Sequence, residues 1–165
     1  YTHLSYKDLF LYNYAAELNV AGHYKESLQI ASECEKLWAD YDLQMLMADN
    51  CMKMKNYTET ERHLNQASAM CLVKFMPLYR LTELYLETGR KEEARVLAKK
   101  ILDKKVKIPS PVINSIKNKM RNLLNKPDSL NSSSQLINHD MKPTTTSSWQ
   151  DCLWDLRTPR ALLPT

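Results

Sequence analysis

The chain has only two glycines, and they stand at matching points of two similar segments. Gly22 lies in LNVAGHYKESLQIA and Gly89 in LYLETGRKEEARVLA, and each comes five residues before a small side chain. Lys55, in CMKMKNYTETERHLN, falls 33 residues after the first glycine and 34 before the second. Because glycine tolerates the left-handed conformation that ends a helix, a glycine at a fixed period predicts a repeated helix–turn–helix unit.

Aligning the three segments on these turns brings equivalent side chains together in both helices of each unit. In the first helix a large residue comes first, at Tyr14, Met47 and Leu81 of the three repeats. A small residue follows directly, at Ala15, Ala48 and Thr82, and another core residue stands three positions later, at Leu18, Cys51 and Tyr85. The second helix has an inner stripe at Ser27, Thr60 and Ala94, at Ala31, Leu64 and Ala98, and at Cys34, Ala67 and Ile101. Spacings of three and four residues place each set on one helix face.

The composition is consistent with long helices and short connections. Two glycines in 165 residues argue against a turn-rich β fold, and apolar residues make up 44% of the chain, as in ordinary globular proteins. No apolar run approaches the length that would span a bilayer. The chain begins YTHLSY, without methionine or a signal peptide, so we expect it to be part of a longer or processed protein.

Basic residues are concentrated in one block of the chain. Residues 90–126 carry twelve basic and three acidic side chains, whereas residues 1–89 carry eight basic and twelve acidic ones. Such a block suits a solvated helix face, an anionic membrane surface, an acidic partner or nucleic acid. Of these, we expect mainly a solvated face, with proximity to a membrane surface as a further role and no nucleic-acid binding.

The third repeat is followed by a predicted capping helix and then by a polar tail. Ser110 is a helix-capping residue and Pro111 suits the first helical position, so a helix is expected over 111–125. Its apolar face consists of Ile113, Ile116, Met120, Leu123 and Leu124, and its outer face of Lys117, Asn118, Lys119 and Arg121. Residues 127–165 are expected to be a flexible tail whose apolar end, Trp149–Leu156, could mediate self-association.

With this pattern the chain resembles tetratricopeptide-repeat proteins, most clearly in LTELYLETGRKEEARVLAKKIL, residues 81–102. The resemblance implies an all-α fold, a right-handed α-solenoid of antiparallel helix–turn–helix repeats within residues 1–126. The three repeats are expected at about residues 8–39, 41–73 and 75–108, ahead of the capping helix. The second fits the pattern least well, because Lys55 stands at its glycine position.

In this family the first helices line a concave face that binds an extended peptide or a helix. Tyrosine, methionine and carboxylate side chains make such a face adaptable and mildly acidic. The residues predicted to line it are Tyr12, Ala16, Asn19, Met45, Asp49, Met52, Tyr79, Glu83, Leu86 and Glu87. Family members that clamp a peptide carboxylate use a lysine and an asparagine where this chain has Tyr12 and Ala16, so that mode of binding is not expected.

The sequence contains no pattern that indicates catalysis. No phosphate-binding glycine loop, nucleophile elbow or HExxH motif occurs, and no cysteine or histidine pair has metal-ligand spacing. Cys34 and Cys51 fall where the repeat has small apolar side chains and are expected to be buried thiols. We therefore predict a protein without enzymatic activity, catalytic residues, cofactor or metal.

Residues 75–124 show a narrower resemblance, carried by LYLETG, ILDKKVKIPSP and IKNKM. They are similar to the soluble C-terminal end of Gram-negative O-antigen ligase/polymerase-like membrane proteins. That resemblance implies a non-catalytic scaffold in the periplasm, tethered to membrane segments that precede this chain. The alternative is a stand-alone cytosolic adaptor, similar to a secretion chaperone, that binds a client peptide in its concave groove.

Overall fold

The computed structural model describes residues 7–125, and within them every regular element is an α-helix. The helices are α1 (Lys7–Val20), α2 (Tyr24–Glu35), α3 (Tyr41–Lys53), α4 (Tyr57–Met70), α5 (Met76–Glu87), α6 (Lys91–Asp103) and α7 (Pro111–Asn125). Each helix packs against the next one in sequence, and α1 also contacts α3. This sequential packing confirms the predicted all-helical repeat fold. The tail predicted at 127–165 lies outside the described residues.

The three predicted turns have the same backbone geometry. Gly22, Lys55 and Gly89 all have positive φ, at 86°, 58° and 77°. In each turn the residue after this position donates its N–H to a carbonyl five residues earlier, at 2.8 Å for His23 to Leu18, 2.8 Å for Asn56 to Cys51 and 2.7 Å for Arg90 to Tyr85. This hydrogen bond is the one that closes a helix in the Schellman motif. The middle turn is therefore equivalent to the other two, although it has no glycine.

Small residues on the aligned faces let the helices approach closely. Ala15, Ala31, Cys51, Ala67 and Ala98 are completely buried, as the alignment of the repeats predicts. The buried apolar side chains form three clusters along the chain, spanning α1 to α3, α3 to α6 and α5 to α7. The core therefore extends from one helix pair to the next.

The first helix departs from this pattern at two aromatic residues. Tyr14 is 47% exposed and Phe10 is 66% exposed, and their rings stack with centroids 6.2 Å apart. The equivalent residues of the second unit, Met47 and Leu43, are buried, because the helices of the first unit cover them. In the described residues no helix pair precedes α1, so the same positions of the first unit stay open.

The last helix, α7, begins as the sequence predicts. The Ser110 hydroxyl oxygen accepts a hydrogen bond from the Ile113 amide at 3.2 Å, and Ile116 and Met120 are buried against α5 and α6. Its expected outer face, however, is partly used inside the fold. The Lys117 ammonium donates to the carbonyls of Leu102 and Lys104, both at 2.9 Å. Lys117 therefore fixes α7 to the end of α6 in addition to carrying charge.

Candidate peptide-binding face

The ten residues predicted to line the concave face all lie on the first helices, α1, α3 and α5, but they differ in exposure. Leu86 and Glu87 are exposed, whereas Asn19 and Tyr79 are buried. The others are half-buried, namely Tyr12, Ala16, Met45, Asp49, Met52 and Glu83. We call these ten residues the first-helix face.

A row of polar side chains joins the three first helices. The Asn19 amide nitrogen donates to a carboxylate oxygen of Asp49 at 3.0 Å, which connects α1 to α3. The other Asp49 oxygen accepts from the guanidinium of Arg80 at 3.0 Å, which connects α3 to α5. Because Asp49 and Arg80 are only about one fifth exposed, this ion pair is less screened by water than a surface pair. The row fixes the spacing of the helices that carry the face.

Beneath this row lies a second, fully buried set of hydrogen bonds. Asn19 also donates to the side-chain oxygen of Asn50 at 2.9 Å, and the Asn50 amide donates to the Ser27 hydroxyl at 2.7 Å. Ser27 in turn donates to the Ala15 carbonyl at 2.7 Å. Asn19 is therefore a structural residue that ties the first repeat to the second, and its amide is not presented to a ligand.

Tyr79 is also used inside the fold, because α7 approaches it. The Lys119 ammonium donates to the Tyr79 hydroxyl oxygen at 2.8 Å and lies 5.2 Å from the ring centroid. Burial, followed by the hydrogen bond to Glu83, raises the pKa of Tyr79, while the hydrogen bond to Tyr79 raises the pKa of Lys119. On α5, therefore, the side chains available to a ligand are Glu83, Leu86 and Glu87, and not Tyr79.

The part of the face near α1 is acidic. Burial, and then the neighbouring carboxylates Asp42 and Asp40, raise the pKa of Tyr12 to about 12. Burial and Asp40 likewise raise the pKa of the Asp42 carboxyl. Tyr12 therefore stays protonated at neutral pH and can donate a hydrogen bond to a backbone carbonyl or a carboxylate.

The centre of the face has no deep cavity. Met45, Asp49 and Met52 line a crevice of about 10 Å³ with Arg80 of α5. This volume is far below the several hundred Å³ of a typical small-molecule pocket. Flexible methionine side chains beside a fixed ion pair suit a segment of chain that lies across the helices.

The second repeat contains a buried polar pair that sequence reasoning missed. The His63 Nδ1 lies 2.7 Å from the Gln44 Oε1, and its Nε2 lies 2.9 Å from a guanidinium nitrogen of Arg62. Gln44 in turn donates to Glu35 at 2.6 Å. In the alignment, Gln44 corresponds to Leu11 and Leu78, and His63 to Ile30 and Leu97. Two polar residues at apolar positions of one repeat are the signal that would have revealed this pair.

Other features expected from the sequence can be placed within residues 7–125. Cys34 and Cys51 are buried free thiols, and Cys71 is a half-buried one, whereas Cys152 lies outside the described residues. In this range no three His, Cys, Asp or Glu side chains are grouped closely enough to hold a metal ion. No helix in this part of the chain is both long and apolar enough to cross a bilayer.

Comparisons with known proteins support the fold. No family model and no curated protein matches the chain. Among solved structures, the chain is similar to one titled "Crystal structure of PcrH in complex with the chaperone binding region of PopB", with a TM-score of 0.54 and 14% sequence identity. The match covers 70% of this chain and 93% of that chain, and at such low identity it establishes a shared fold alone.

The fold and the first-helix face together define a helical-repeat protein of tetratricopeptide-like architecture. The similarity of the chain to that solved structure agrees with the predicted all-helical repeat fold. The narrower resemblance of residues 75–124 to O-antigen ligase/polymerase-like proteins finds no support, because neither sequence comparison returns such a protein.

Proposed function

We propose that this chain is a non-catalytic interaction scaffold whose first-helix face binds a segment of another protein. The observation that carries the proposal is the row Asn19–Asp49–Arg80, which holds the three first helices together from beneath. Above it lie half-buried methionines and the exposed Leu86, which can bury apolar side chains of a ligand without rearrangement of the fold.

The structural neighbour favours the same function. PcrH was crystallised with the chaperone-binding region of PopB, a segment of a second protein. Nearly the whole of that PcrH chain, 93% of it, has a structural counterpart in this chain. This similarity supports a peptide-binding adaptor better than an extension of a polysaccharide enzyme.

Selection of peptides from a displayed random library on the full chain tests the proposal. We expect enriched peptides to carry apolar residues with a basic residue that complements Asp42 and Glu83. Binding should weaken at least tenfold in Met52→Glu and in Leu86→Glu, because each puts a charged group where an apolar side chain of the ligand would otherwise be buried. Val112→Glu, on the partly exposed side of α7, is the matched control and should bind normally. Selected peptides that bind all three variants equally would contradict the proposal.

The periplasmic, membrane-tethered role remains a separate proposal that rests on the resemblance of residues 75–124 alone. It requires membrane-spanning segments to be encoded upstream of Tyr1. Sequencing the upstream coding region decides it, since a gene that starts close to Tyr1 would exclude the tether. The peptide-binding proposal is independent of that outcome and of the compartment.

A further inference from the structure

A second surface lies beside α6, away from the first-helix face. It is an open groove with a volume of about 550 Å³, formed by the loop between α4 and α5 and by one side of α6. Its lining combines apolar residues with lysines and one aspartate, namely Leu72, Leu78, Val96, Lys99, Lys100, Asp103 and Lys104. We call it the lysine-rimmed groove.

The groove exposes apolar side chains that the fold leaves uncovered. Leu72 is 76% exposed and Val96 is 66% exposed, and both border the same cavity above the buried Leu78. Single exposed apolar side chains are common on protein surfaces, but two of them in one concave site suit the side chains of a ligand. A ligand that covers Leu72 and Val96 would therefore be stabilised by burial of apolar surface.

Two of the three lysines on the rim have no acidic partner among the described residues. Within residues 7–125 neither Lys99 nor Lys100 forms an ion pair, and Lys100 lies one helical turn before Lys104. Like charges four residues apart on a helix repel each other. An anionic ligand would relieve this repulsion, which gives the groove a charge preference.

Lys104 also shapes the groove. Its ammonium donates to the Leu72 carbonyl and lies 5.3 Å from the centroid of the Phe75 ring, so it holds the α4–α5 loop against the end of α6. Burial, and then the charge of Lys100, lower the pKa of Lys104. Lys104 therefore holds in place the loop that carries Leu72.

We propose that the lysine-rimmed groove binds an acidic amphipathic helix of a partner protein. The apolar stripe of such a helix would cover Leu72 and Val96, and its carboxylates would pair with Lys99 and Lys100. Nucleic acid offers phosphates but no apolar side chains for Leu72 and Val96. This partner differs from the ligand of the first-helix face in charge and in site.

Fluorescence anisotropy with the full chain tests this proposal. The probe is a labelled synthetic peptide of about 16 residues, with leucines at i, i+3, i+4 and i+7 and glutamates on the flanks. We expect binding that weakens as NaCl rises from about 50 mM to about 500 mM. The double variant Lys99→Glu/Lys100→Glu should weaken binding at least tenfold, and Val96→Ser about threefold or more.

Matched controls separate this site from charge alone and from the first-helix face. Lys25→Glu/Lys91→Glu changes the net charge equally at exposed positions outside the groove, and Leu86→Glu alters the first-helix face. Both should bind the probe like the unchanged chain. A scrambled peptide of the same composition should bind much more weakly, because it lacks the apolar stripe.

Three results would overturn the proposal. One is no binding of the probe in low salt by a chain that circular dichroism shows to be folded. Another is equal binding of the ordered and scrambled peptides, which would show non-specific charge attraction. The third is binding to vesicles of mixed phosphatidylcholine and phosphatidylserine without binding to the peptide, which would identify the groove as a lipid-surface contact.

Discussion

Lys55 closes the α3–α4 turn in the same left-handed conformation in which Gly89 closes the α5–α6 turn, with φ of 58° and 77°. The left-handed region costs a residue with a Cβ atom roughly 1–2 kcal/mol, and glycine avoids that cost. The repeat therefore imposes the backbone geometry even where the sequence does not favour it. Packing of α3 against α4 supplies the free energy that keeps Lys55 in this conformation.

Replacing Lys55 by glycine should stabilise the protein. Relief of the left-handed strain exceeds the extra conformational entropy of glycine in the unfolded state, so we expect a gain of up to about 1 kcal/mol. Chemical denaturation of the full chain measures it. Lys53→Gly, two residues earlier at the last residue of α3, is the control and should destabilise the protein by up to about 1 kcal/mol. Equal losses in both variants would refute the strain at Lys55.

Gly89→Val should destabilise the protein by roughly 1–2 kcal/mol. A Cβ atom at Gly89 meets no heavy atom within 4 Å, so the cost comes from the backbone conformation rather than from a clash of the Cβ. Gly89→Asn should cost less, because asparagine tolerates the left-handed region. Thermal melting of the two variants tests this order, and an unchanged melting temperature for Gly89→Val would exclude a required left-handed turn.

The sequence was sufficient for the fold because the information that specifies it is local and repeated. Turn positions and small residues recur with the period of the repeat, and one alignment predicts which side chains are buried, as at Ala31 and Ala98. The first-helix face was predicted less completely. Whether Asn19 and Tyr79 are exposed depends on partners thirty or more residues away, Asn50 and Lys119, and no local pattern reports such contacts.

The Gln44–His63 pair also depends on a long-range contact, and a double-mutant cycle should reveal it. His63→Leu alone leaves the buried Gln44 oxygen without its donor, at a cost of about 1–3 kcal/mol. The double variant Gln44→Leu/His63→Leu restores the apolar residues that the other repeats have at these positions, so it should be more stable than His63→Leu alone. Denaturant titration of all four proteins gives the coupling, and additive losses would show that the two side chains act independently.

Protonation of His63 should make the protein less stable below neutral pH. Arg62 can only donate, so the His63 Nε2 that faces it must accept, and Nδ1–H donates to Gln44 in a neutral ring. Burial, and then the charge of Arg62, lower the pKa of His63 below its ordinary 6.5, while Glu35 and Glu59 oppose the shift. The unfolded chain therefore takes up the proton first. The contribution of the neutral ring to the free energy of unfolding is complete above about pH 6.5 and declines as the pH falls toward the folded pKa.

Thermal melting between about pH 8 and pH 5 measures this decline, a range that includes the ordinary histidine pKa of about 6.5. The Gln44→Leu/His63→Leu variant should lose most of the slope of melting temperature against pH near pH 6, because it lacks the buried His63 ring. Glu33, Glu61 and Glu93 have pKa values lowered by their basic partners, so their contribution is lost only at more acidic pH. His23, which is exposed, provides the matched control, and His23→Gln should leave the slope near pH 6 unchanged. An equal slope in the unchanged chain and the double variant would show that His63 does not control stability in this range.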